Sequence, residues 1–586
     1  MATTKMKPVD VVIVGAGLTG TIAAKELCDA GVKVVALERG EYRDTSSAAM
    51  PHAHDGLKYG RRNALMQDLS RETLTFRNRP NETALPMRQL GSFKPGEGVG
   101  GAAVHWGGAT WRFLPWDFEM RSRSEARYGK NLFAADCTSR DWGITYNELE
   151  PYYDRFEYCY GVSGKAGNLK GVIQPGGNPF EGPRSREFPN PPHPTSHAGS
   201  LYQEAAKAMG YHPFPIPAAT ASRAYKNIYG STINGCVHCG FCSSYACEMG
   251  AKGNVQSAVL PVLMGDKNFE LRTHARVMKV NLDSSGKRAV SVTYVDAQGR
   301  EVEQPAELIL LMSYVFGNVR LMMLSGIGER YDPVANRGVV GRNYAYQVVS
   351  HVNLNFEDKV FNQFMGAGGM GISIDDFNGD NYDHSGLGFV GGGRTVVSTG
   401  GLNPIENRPV PHDTPRWGPG WKKAVAHYWN RSFTINNETG CNSYRTNYLD
   451  LDPTYRDAWG LPLLRMTFDW REMEHKGSQF ITARMEEIGK RIGAAHVHAE
   501  ARTGRYTIVP YQSTHNTGGA TMGLDPGTSA INKYLQSWDV SNVFVIGANA
   551  FPQNAGYNPT DTVGALTYWA VDAIKNRYLK QPGPLA

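Results

Sequence analysis

The stretch that decides the fold is DVVIVGAGLTGTIAAKELCDAGVKVVALE, residues 10–38. A short apolar run, typical of a buried strand, leads into Gly15, Gly17 and Gly20, which form the pattern G-x-G-x-x-G. A helix-forming run follows, a glycine ends it, and a second apolar strand finishes on Glu38. This order predicts a dinucleotide-binding unit, in which the glycines admit a pyrophosphate at the helix N-terminus and Glu38 binds ribose hydroxyls. The unit alone does not separate NAD from FAD.

The size and composition of the chain narrow its class. A chain of 586 residues is too long for one compact core, so two or more domains are expected. The formal net charge is only +6 and no basic run stands out, so nucleic-acid binding is not indicated. No apolar stretch is long enough to cross a bilayer, and no signal peptide is visible. These observations favour a cytoplasmic protein, or one that a partner exports.

Composition also divides the chain into a discontinuous first domain and an intervening lobe. Residues 346–504 contain alternating segments such as HVNLNF and LLRMTFDW, which predict an antiparallel sheet. The stretch NVFVIGANAFP, residues 542–552, returns to a buried strand that ends in a glycine turn. We therefore expect an α/β fold with a Rossmann-like domain made of residues 1–345 and 505–586. A second, α+β substrate domain built on the antiparallel sheet would span residues 346–504.

Two further regions of the first domain have unusual compositions. The stretch PGEGVGGAAVHWGGATWRF, residues 95–113, is dense in glycine, yet it contains His105, Trp106 and Trp111. These side chains suit rigid contact with a large planar ligand better than a flexible surface loop. Residues 173–195 are rich in proline and predict an extended connection between lobes.

Four of the eight cysteines lie close together in GCVHCGFCSSYACEMG, residues 235–250. Cys236, Cys239, Cys242 and Cys247 have the spacing C-x2-C-x2-C-x4-C. Disulfides would close strained, very short rings, and a structural zinc site usually draws two pairs from separated segments. Cysteines at every third position are closer to ferredoxin-type iron–sulfur spacing, although the x4 gap and the missing proline depart from it. Buried single thiols are expected for the other four: Cys28, Cys137, Cys159 and Cys441.

Several motifs occur in the order that is typical of glucose–methanol–choline (GMC) oxidoreductases. They are the unit of residues 10–38, GVGG…HW (98–106), LSGIG (324–328), VGRN (340–343), STHNTGGATMG (513–523) and GANAFP…YNPT (547–560). Over nearly its full length the chain resembles the flavoprotein subunits of membrane-associated bacterial dehydrogenases. Members of that group act on gluconate, 2-ketogluconate, fructose, sorbitol, glucose and glucosides. The resemblance implies that the discontinuous first domain is an FAD-binding domain of GMC type.

The resemblance also implies which residues contact the FAD. The dipeptide His105-Trp106, which follows the turn at Gly100-Gly101, resembles the position at which pyranose oxidases and some sugar-acid dehydrogenases attach FAD covalently. By this resemblance, His105 is expected to form a histidyl-flavin bond. The cofactor-binding residues expected from the matching motifs are Gly15, Gly17, Gly20, Glu38, Gly100, Gly101, His105, Trp106, Gly547, Ala548 and Thr560.

The catalytic residues follow from the same resemblance. Family members place a histidine and a second histidine or asparagine over the flavin ring, and His515 and Asn558 match these positions. Alcohol oxidation needs a base of near-neutral pKa for the hydroxyl proton, while the flavin takes the hydride. We expect His515 to be this general base and Asn558 to orient the hydroxyl. The pair argues against the alternative of a non-catalytic electron-transfer flavoprotein.

The electron acceptor is also implied by the resemblance. Related sugar dehydrogenases carry a 3Fe-4S cluster, held by three cysteines, at this point of the chain. An iron–sulfur cluster on Cys236, Cys239, Cys242 and Cys247 is therefore expected, without a decision on which three ligate. Electrons would pass to a multi-haem cytochrome c subunit, and a small subunit would carry the export signal. These partners would hold the protein at the periplasmic face of the inner membrane.

The resemblance also implies a substrate class, for which there is a leading expectation and an alternative. The leading one is oxidation of D-gluconate to 2-dehydro-D-gluconate. The alternative is a dehydrogenase of the same build for 2-ketogluconate, another sugar or polyol, or a glucoside 3-hydroxyl. A 2-hydroxy acid needs a cation near its carboxylate, and Arg342, Arg445 and Arg465 are candidates, although surface salt bridges are the more ordinary role of such arginines. His52 and His54 are interpreted as loop residues without metal partners.

Overall fold

The structure, a computed structural model, describes residues 4–45, 63–399 and 409–585. His52 and His54 lie outside the described residues. The helices are α1 (Leu18–Asp29), α2 (Pro115–Phe118), α3 (Met120–Tyr128), α4 (Tyr146–Tyr160), α5 (His197–Ala208), α6 (Val255–Ala258), α7 (Leu260–Leu263), α8 (Tyr314–Ser325), α9 (Gly418–Tyr428), α10 (Glu472–Ile492) and α11 (Thr560–Ala573).

The strands are short and numerous. In chain order they are β1 (Thr4–Lys5), β2 (Val9–Val14), β3 (Val34–Leu37), β4 (Leu74–Arg77), β5 (Leu85–Pro86), β6 (Asn168–Leu169), β7 (Val172–Ile173), β8 (Phe214–Pro215), β9 (Tyr225–Lys226), β10 (Thr232–Ile233), β11 (Phe269–Arg272), β12 (Arg276–Leu282), β13 (Ala289–Val295), β14 (Glu301–Leu311), β15 (Ala345–Tyr346), β16 (Val348–Asn355), β17 (Ile372–Ile374), β18 (Gly393–Val397), β19 (Ser432–Thr439), β20 (Tyr448–Arg456), β21 (Pro462–Thr467), β22 (His496–Glu500), β23 (Asn516–Thr517) and β24 (Val543–Val545).

A parallel sheet with the strand order β11-β3-β2-β14-β24 forms the core of the first lobe. Its central strand β2 ends in the run VVIV, which is almost completely buried, as expected for a parallel strand covered on both faces. The first half of β14 extends past this sheet and pairs in antiparallel fashion with β13. The last half of β14 lies between β2 and β24, so two strands more than 500 residues apart in sequence flank the same strand.

The helices of this lobe begin and end as their local sequences predict. Thr145 caps α4: the amide of Glu148 donates to Thr145 Oγ1 at 3.3 Å, and the Glu148 carboxylate accepts from the Thr145 amide at 2.8 Å. Gly161 ends α4 and Gly326 ends α8, each with a positive φ that favours glycine. A capping box at one end and a glycine at the other therefore set the ends of α4.

The second lobe is built on an antiparallel sheet with the strand order β22-β16-β19-β18-β17-β8. Helices α5 and α10 cover one face of this sheet and bury a separate apolar core that includes Val352, Ile435, Ile481 and Met485. Along β18 the side chains alternate: Thr395 faces α5, where Tyr202 bonds it at 2.6 Å, and Arg394 points to the opposite face. That opposite face closes the functional cavity.

This architecture confirms the α/β prediction, with a Rossmann-like sheet and a second antiparallel sheet. Two elements that precede residue 346, α5 and β8, pack on or pair with the antiparallel sheet. The segment LLRMTFDW contributes β21 to a different, four-stranded sheet, where β21 pairs with β20 in antiparallel and with β4 in parallel fashion. Within the described ranges, the structure contains no helix with the length and apolar character needed to traverse a bilayer.

Candidate active site

A cavity of about 620 Å³ lies where the glycine turn after β2 meets strands β18 and β19. This volume falls within the range of small-molecule and cofactor sites, about 300–1,000 Å³. Most residues singled out from the sequence border this one cavity, although they come from both ends of the chain. They are Gly15, Gly17, Glu38, Gly101, His105, Trp106, His515, Gly547, Ala548, Asn558 and Thr560.

Gly20 and Gly100, two predicted cofactor contacts, do not border the cavity but shape its wall. A Cβ on Gly20 would lie 2.0 Å from the carbonyl oxygen of Gly15, so glycine allows α1 to pack against the turn. Gly100 has a φ of +94°, and its amide donates to the carbonyl of Ala16 at 2.8 Å. The two glycines therefore join the loop of residues 95–113 to the turn after β2.

The turn and the start of α1 form a cradle that fits the pyrophosphate and ribose of a dinucleotide. A Cβ on Gly17 would meet no atom within 4 Å, so the N-terminus of α1 is open to the cavity. The buried Glu38 carboxylate accepts hydrogen bonds from the amides of Ala16 at 3.0 Å and Gly40 at 2.9 Å. These bonds hold the carboxylate at the rim of the cavity, where its other lone pairs can accept ribose hydroxyls.

The imidazole of His515 is held in a single tautomer by Gln347. The amide nitrogen of Gln347 donates to the carbonyls of Ala555 and Tyr557, both at 2.6 Å, so its Oε1 must face the ring. That oxygen lies 2.7 Å from His515 Nδ1, which therefore carries the proton. His515 Nε2 is left as an acceptor, and it receives the Asn558 amide at 3.1 Å. The unprotonated nitrogen of the ring thus lies beside Asn558 at the cavity.

The orientation of Asn558 is set in turn by a partly buried ion pair. Asn558 Oδ1 accepts from Arg394 Nη2 at 2.6 Å, and the same nitrogen donates to Glu438 Oε2 at 2.8 Å. Glu438 Oε2 also lies 3.8 Å from His515 Nδ1, and the Arg394 guanidinium lies over the Trp111 ring, 4.9 Å from its centroid. The asparagine amide therefore has to donate toward His515 rather than accept from it.

Sequence reasoning missed Gln347, Arg394 and Glu438. The signal that could have found the two charged residues is a charged side chain inside a strand: GRTVV, which is buried throughout, for Arg394, and SFTINNET, which is buried at alternate positions, for Glu438. The strand register places them directly opposite each other across β18 and β19. Such a pair on a sheet face that closes a cavity is a candidate functional pair.

The electrostatics keep His515 neutral at physiological pH. Burial lowers the pKa of His515, the Glu438 carboxylate acts in the opposite direction, and the Arg394 guanidinium lowers the pKa further. The net lowering favours the unprotonated ring. A neutral imidazole with its acceptor nitrogen at the cavity has the properties of a general base.

His105 and Trp106 form a second polar feature of the cavity wall. His105 follows a short 3₁₀ turn, is 7% exposed, and burial together with Lys252 and Lys94 lowers its pKa to about 3. The His105 Nε2 and Trp106 Nε1 atoms are buried without a hydrogen-bond partner. Buried polar atoms normally find a partner, so this wall fits a ligand that carries polar groups.

The cysteine loop, residues 235–250, also borders the cavity, next to His105. Cys242 borders the cavity, and the amide of Ser244 donates to the carbonyl of His105 at 2.7 Å. The four cysteines of this loop are partly exposed free thiols: Cys236, Cys239, Cys242 and Cys247. The loop and the histidine that was predicted to bind the flavin are therefore directly bonded neighbours.

A buried lysine lies within this loop. Lys252 is 1% exposed, and its ammonium donates to the carbonyls of Cys242 at 2.7 Å and Tyr245 at 2.8 Å. It interacts electrostatically with the thiols of Cys239, Cys242 and Cys247. On the other side of the loop, ligand atoms of His193, Cys236 and His238 all lie within 4.8 Å of one another. These three residues form the one group, among the described residues, whose donor atoms lie close enough together to hold a metal ion.

The remaining sequence candidates lie away from the cavity. Arg465 forms a bidentate pair with Asp450, and Arg445 donates to the carbonyl of Pro333. The guanidinium of Arg342 lies over the Tyr331 ring. Of the scattered cysteines, three are buried and Cys137 is partly exposed, and all of them are free thiols: Cys28, Cys137, Cys159 and Cys441.

The glycine cradle, the acid that follows β3 and the cavity define a dinucleotide-binding protein, and a family model described as FAD dependent oxidoreductase, which matches residues 10–138, identifies the class as flavin-dependent. Two further family models, both described as GMC oxidoreductase, match residues 203–349 and 443–567. The chain belongs to the GMC oxidoreductase family, as its motifs predicted, and FAD is its cofactor.

Relatives of known activity span the full length of the chain. The Gluconate 2-dehydrogenase flavoprotein of Pantoea cypripedii is 48% identical, over 99% of this chain and 96% of the relative. The fructose dehydrogenase large subunit of Gluconobacter japonicus is 26% identical, over 97% of this chain and 98% of the relative. The solved structure of pyridoxine 4-oxidase from Mesorbium loti has a TM-score of 0.58 at 15% identity, covers 96% of this chain and 98% of its own, and shares the fold.

Proposed function

We propose that the chain is the flavoprotein subunit of a gluconate 2-dehydrogenase, which oxidises the C2 hydroxyl of D-gluconate to a ketone. The observation that carries this proposal is the 48% identity, over 99% of the chain, with the Gluconate 2-dehydrogenase flavoprotein of Pantoea cypripedii. The chemistry of the cavity is consistent with it, because a neutral histidine and an asparagine amide meet at a single point of the wall.

The residues of the cavity divide the proton chemistry among them. When bound, FAD accepts the hydride that leaves the carbinol carbon. The substrate hydroxyl would replace the Asn558 amide as the donor to His515 Nε2, which then takes the hydroxyl proton, and the displaced Asn558 amide donates to the hydroxyl oxygen and aligns it. Gln347 holds the proton on Nδ1 throughout, and Glu438, 3.8 Å away, stabilises the positive charge that the ring gains. The alcohol thus loses one hydride and one proton and becomes a carbonyl.

We further propose that the cysteine loop binds an iron–sulfur cluster, with 3Fe-4S as the expected type. When bound, such a cluster transfers electrons one at a time. The position of Cys242 on the cavity wall supports a short electron path out of the flavin site. The donor set also fits, because the buried Lys252 ammonium can balance the negative charge that clustered thiolates bring.

A second candidate is a zinc ion bound by residues in and next to the cysteine loop. His193, Cys236 and His238 offer a nitrogen and sulfur donor set that is typical of zinc. The Nε2 atom of His193 is 2.7 Å from the carbonyl of Thr220, which orients its Nδ1 toward His238. Metal analysis separates the two candidates: iron with acid-labile sulfide supports the cluster, and zinc without sulfide supports the histidine site.

The proposed partners are needed because the electrons that leave the flavin must pass to an acceptor. We propose that a multi-haem cytochrome c subunit receives the electrons and that a small subunit carries an export signal for the assembled pair. The complex would then lie at the periplasmic face of the inner membrane, held there by its partners. The proposed domains are an FAD-binding domain of residues 1–345 and 505–586 and a substrate domain of residues 346–504. The pairing of β24 with β14 supports the discontinuous first domain.

The substrate proposal is tested with the purified, FAD-loaded chain and an artificial dye acceptor. The panel contains D-gluconate, 2-ketogluconate, glucose, fructose, sorbitol and a glucoside. We expect kcat/KM for D-gluconate to be at least about tenfold higher than for any other member. Absence of turnover on gluconate would overturn the proposal, and a clear preference for another member would identify the alternative dehydrogenase.

The proposed histidyl-flavin bond has a direct test. The neutral His105 ring borders the cavity with a buried nitrogen that has no protein partner, so it is available to form a bond to FAD. After acid denaturation we expect the yellow chromophore to stay with the polypeptide. We expect His105→Ala to release it, and the control His384→Ala, a buried histidine outside the cavity, to retain it. Free FAD in the supernatant of the unaltered protein would rule the bond out.

A further inference from the structure

We infer that Arg394 binds the carboxylate of the substrate and makes the site selective for 2-hydroxy acids over neutral polyols. This inference rests on the proposed function, since it concerns the substrate of the same site. It names a residue that the sequence did not single out, in place of Arg342, Arg445 and Arg465.

The chemistry of a 2-hydroxy acid fixes where its carboxylate must lie. The carboxylate is attached directly to the carbon that is oxidised, so a group that binds it must be a neighbour of the base. Arg394 meets this condition, because its Nη2 is 2.6 Å from Asn558 Oδ1, and the Asn558 amide is 3.1 Å from His515 Nε2.

The other arginines of the cavity belong to a different cluster. In the part of the chain that the structure describes, the cavity is also bordered by Arg39, Arg276 and Arg320. All three form ion pairs with the single carboxylate of Glu72. Arg394 is therefore the cavity arginine that stands beside the proposed catalytic pair.

Arg394 also has hydrogen-bonding capacity left for a ligand. It is 5% exposed, and one nitrogen, Nη2, makes the bonds to Asn558 and Glu438. Its Nε is buried and has no partner within the protein. The remaining nitrogen, Nη1, makes no hydrogen bond within the described part of the chain, and Arg394 borders the cavity. Nη1 can therefore donate a charge-assisted hydrogen bond to a carboxylate oxygen.

Glu438 contributes to the proposed selectivity for polyhydroxy acids. It lies opposite Arg394 across the sheet and neutralises the guanidinium when no substrate is bound. Because Glu438 borders the cavity, its carboxylate can also accept a hydrogen bond from a hydroxyl further along the substrate. A guanidinium donor for a carboxylate beside an acceptor for hydroxyls matches a polyhydroxy acid.

The test compares D-gluconate with D-gluconamide, which keeps every hydroxyl but has no charge. The measured quantity is the ratio of kcat/KM values for the two substrates in the FAD-loaded protein. We expect Arg394→Gln to lower this ratio by about 100-fold, because the loss of the positive charge affects gluconate alone. Arg394→Lys keeps the charge without the guanidinium geometry, so we expect a loss of about tenfold. Arg465→Gln, an arginine outside the cavity, is the matched control and should leave the ratio unchanged.

The ratio of the two kcat/KM values separates carboxylate binding from the positioning of Asn558. A change in the position of Asn558 affects both substrates equally and leaves the ratio unchanged. Affinity for 2-deoxy-D-gluconate, followed by its perturbation of the flavin spectrum, should weaken in parallel in both variants. If Arg394→Gln does not fold, as judged by its FAD content, the ratio measured for Arg394→Lys tests the role of Arg394. A ratio that is unchanged in the variants overturns the role of Arg394 and leaves the proposed function intact. An unaltered protein that does not prefer gluconate to gluconamide also overturns the role of Arg394, whereas absence of turnover on gluconate overturns the proposed function itself.

Discussion

His515→Ala is expected to slow the reduction of the bound flavin by substrate by about 10²- to 10⁴-fold, because the hydroxyl proton loses its acceptor. The measurement is anaerobic stopped-flow absorbance of the flavin after mixing with D-gluconate. Flavin content should be unchanged, since the residues of the glycine cradle are untouched. The structure supports a specific effect, because Gln347 presents Nδ1 as a donor and leaves Nε2 as the proton acceptor.

The pH dependence gives this prediction a second measurement. Burial lowers the pKa of His515, so the ring stays neutral below the ordinary histidine pKa of about 6.5. The unaltered protein should therefore keep its kcat/KM through neutral pH and lose it only as the pH falls through that lowered pKa. His515→Ala should lose this acid limb.

The control for both measurements is His351→Ala. His351 lies on β16, pairs with Glu500 at 3.0 Å and does not border the cavity. We expect its flavin reduction rate to remain within about twofold of the unaltered protein. A near-normal rate in His515→Ala would exclude the histidine as the base.

Cys242→Ser is expected to separate the two halves of the reaction. Flavin reduction by gluconate should continue, while electron transfer to a cytochrome c acceptor should fall by at least about 100-fold, because the cluster would lose a ligand. Iron and acid-labile sulfide should fall together, and the electron paramagnetic resonance signal of an oxidised 3Fe-4S cluster should disappear. Cys242 is the residue of choice because it borders the flavin cavity and interacts with Lys252.

The matched control is Cys137→Ser, which removes a partly exposed single thiol outside the loop. It should leave iron, sulfide and electron transfer unchanged. If Cys242→Ser kept its full iron and sulfide content, Cys242 would not be a ligand. If the unaltered protein contained zinc and no sulfide, the site of His193, Cys236 and His238 would be favoured instead.

Local patterns determined much of this protein. The unit of residues 10–38 predicted the central strands β2 and β3, helix α1 and the cradle, because each feature depends on residues a few positions apart. The capping box of α4 and the glycine stops are equally local. The cysteines were recognised by their spacing alone, and the motif positions His515 and Asn558 lie together at the cavity.

Only the tertiary structure decided how the site is held. Gln347, Arg394 and Glu438 carry no motif, and their partners lie between 44 and 210 residues away in sequence. Arg394 and Glu438 meet because β18 and β19 pair in one register and present alternate side chains to the cavity. Hydrogen bonds and ion pairs of this kind depend on distances between strands, and these distances do not exist until the two sheets have packed. The sequence by itself therefore predicted the class of cofactor site and the residues of its motifs, whereas the network around the proposed base required the folded chain.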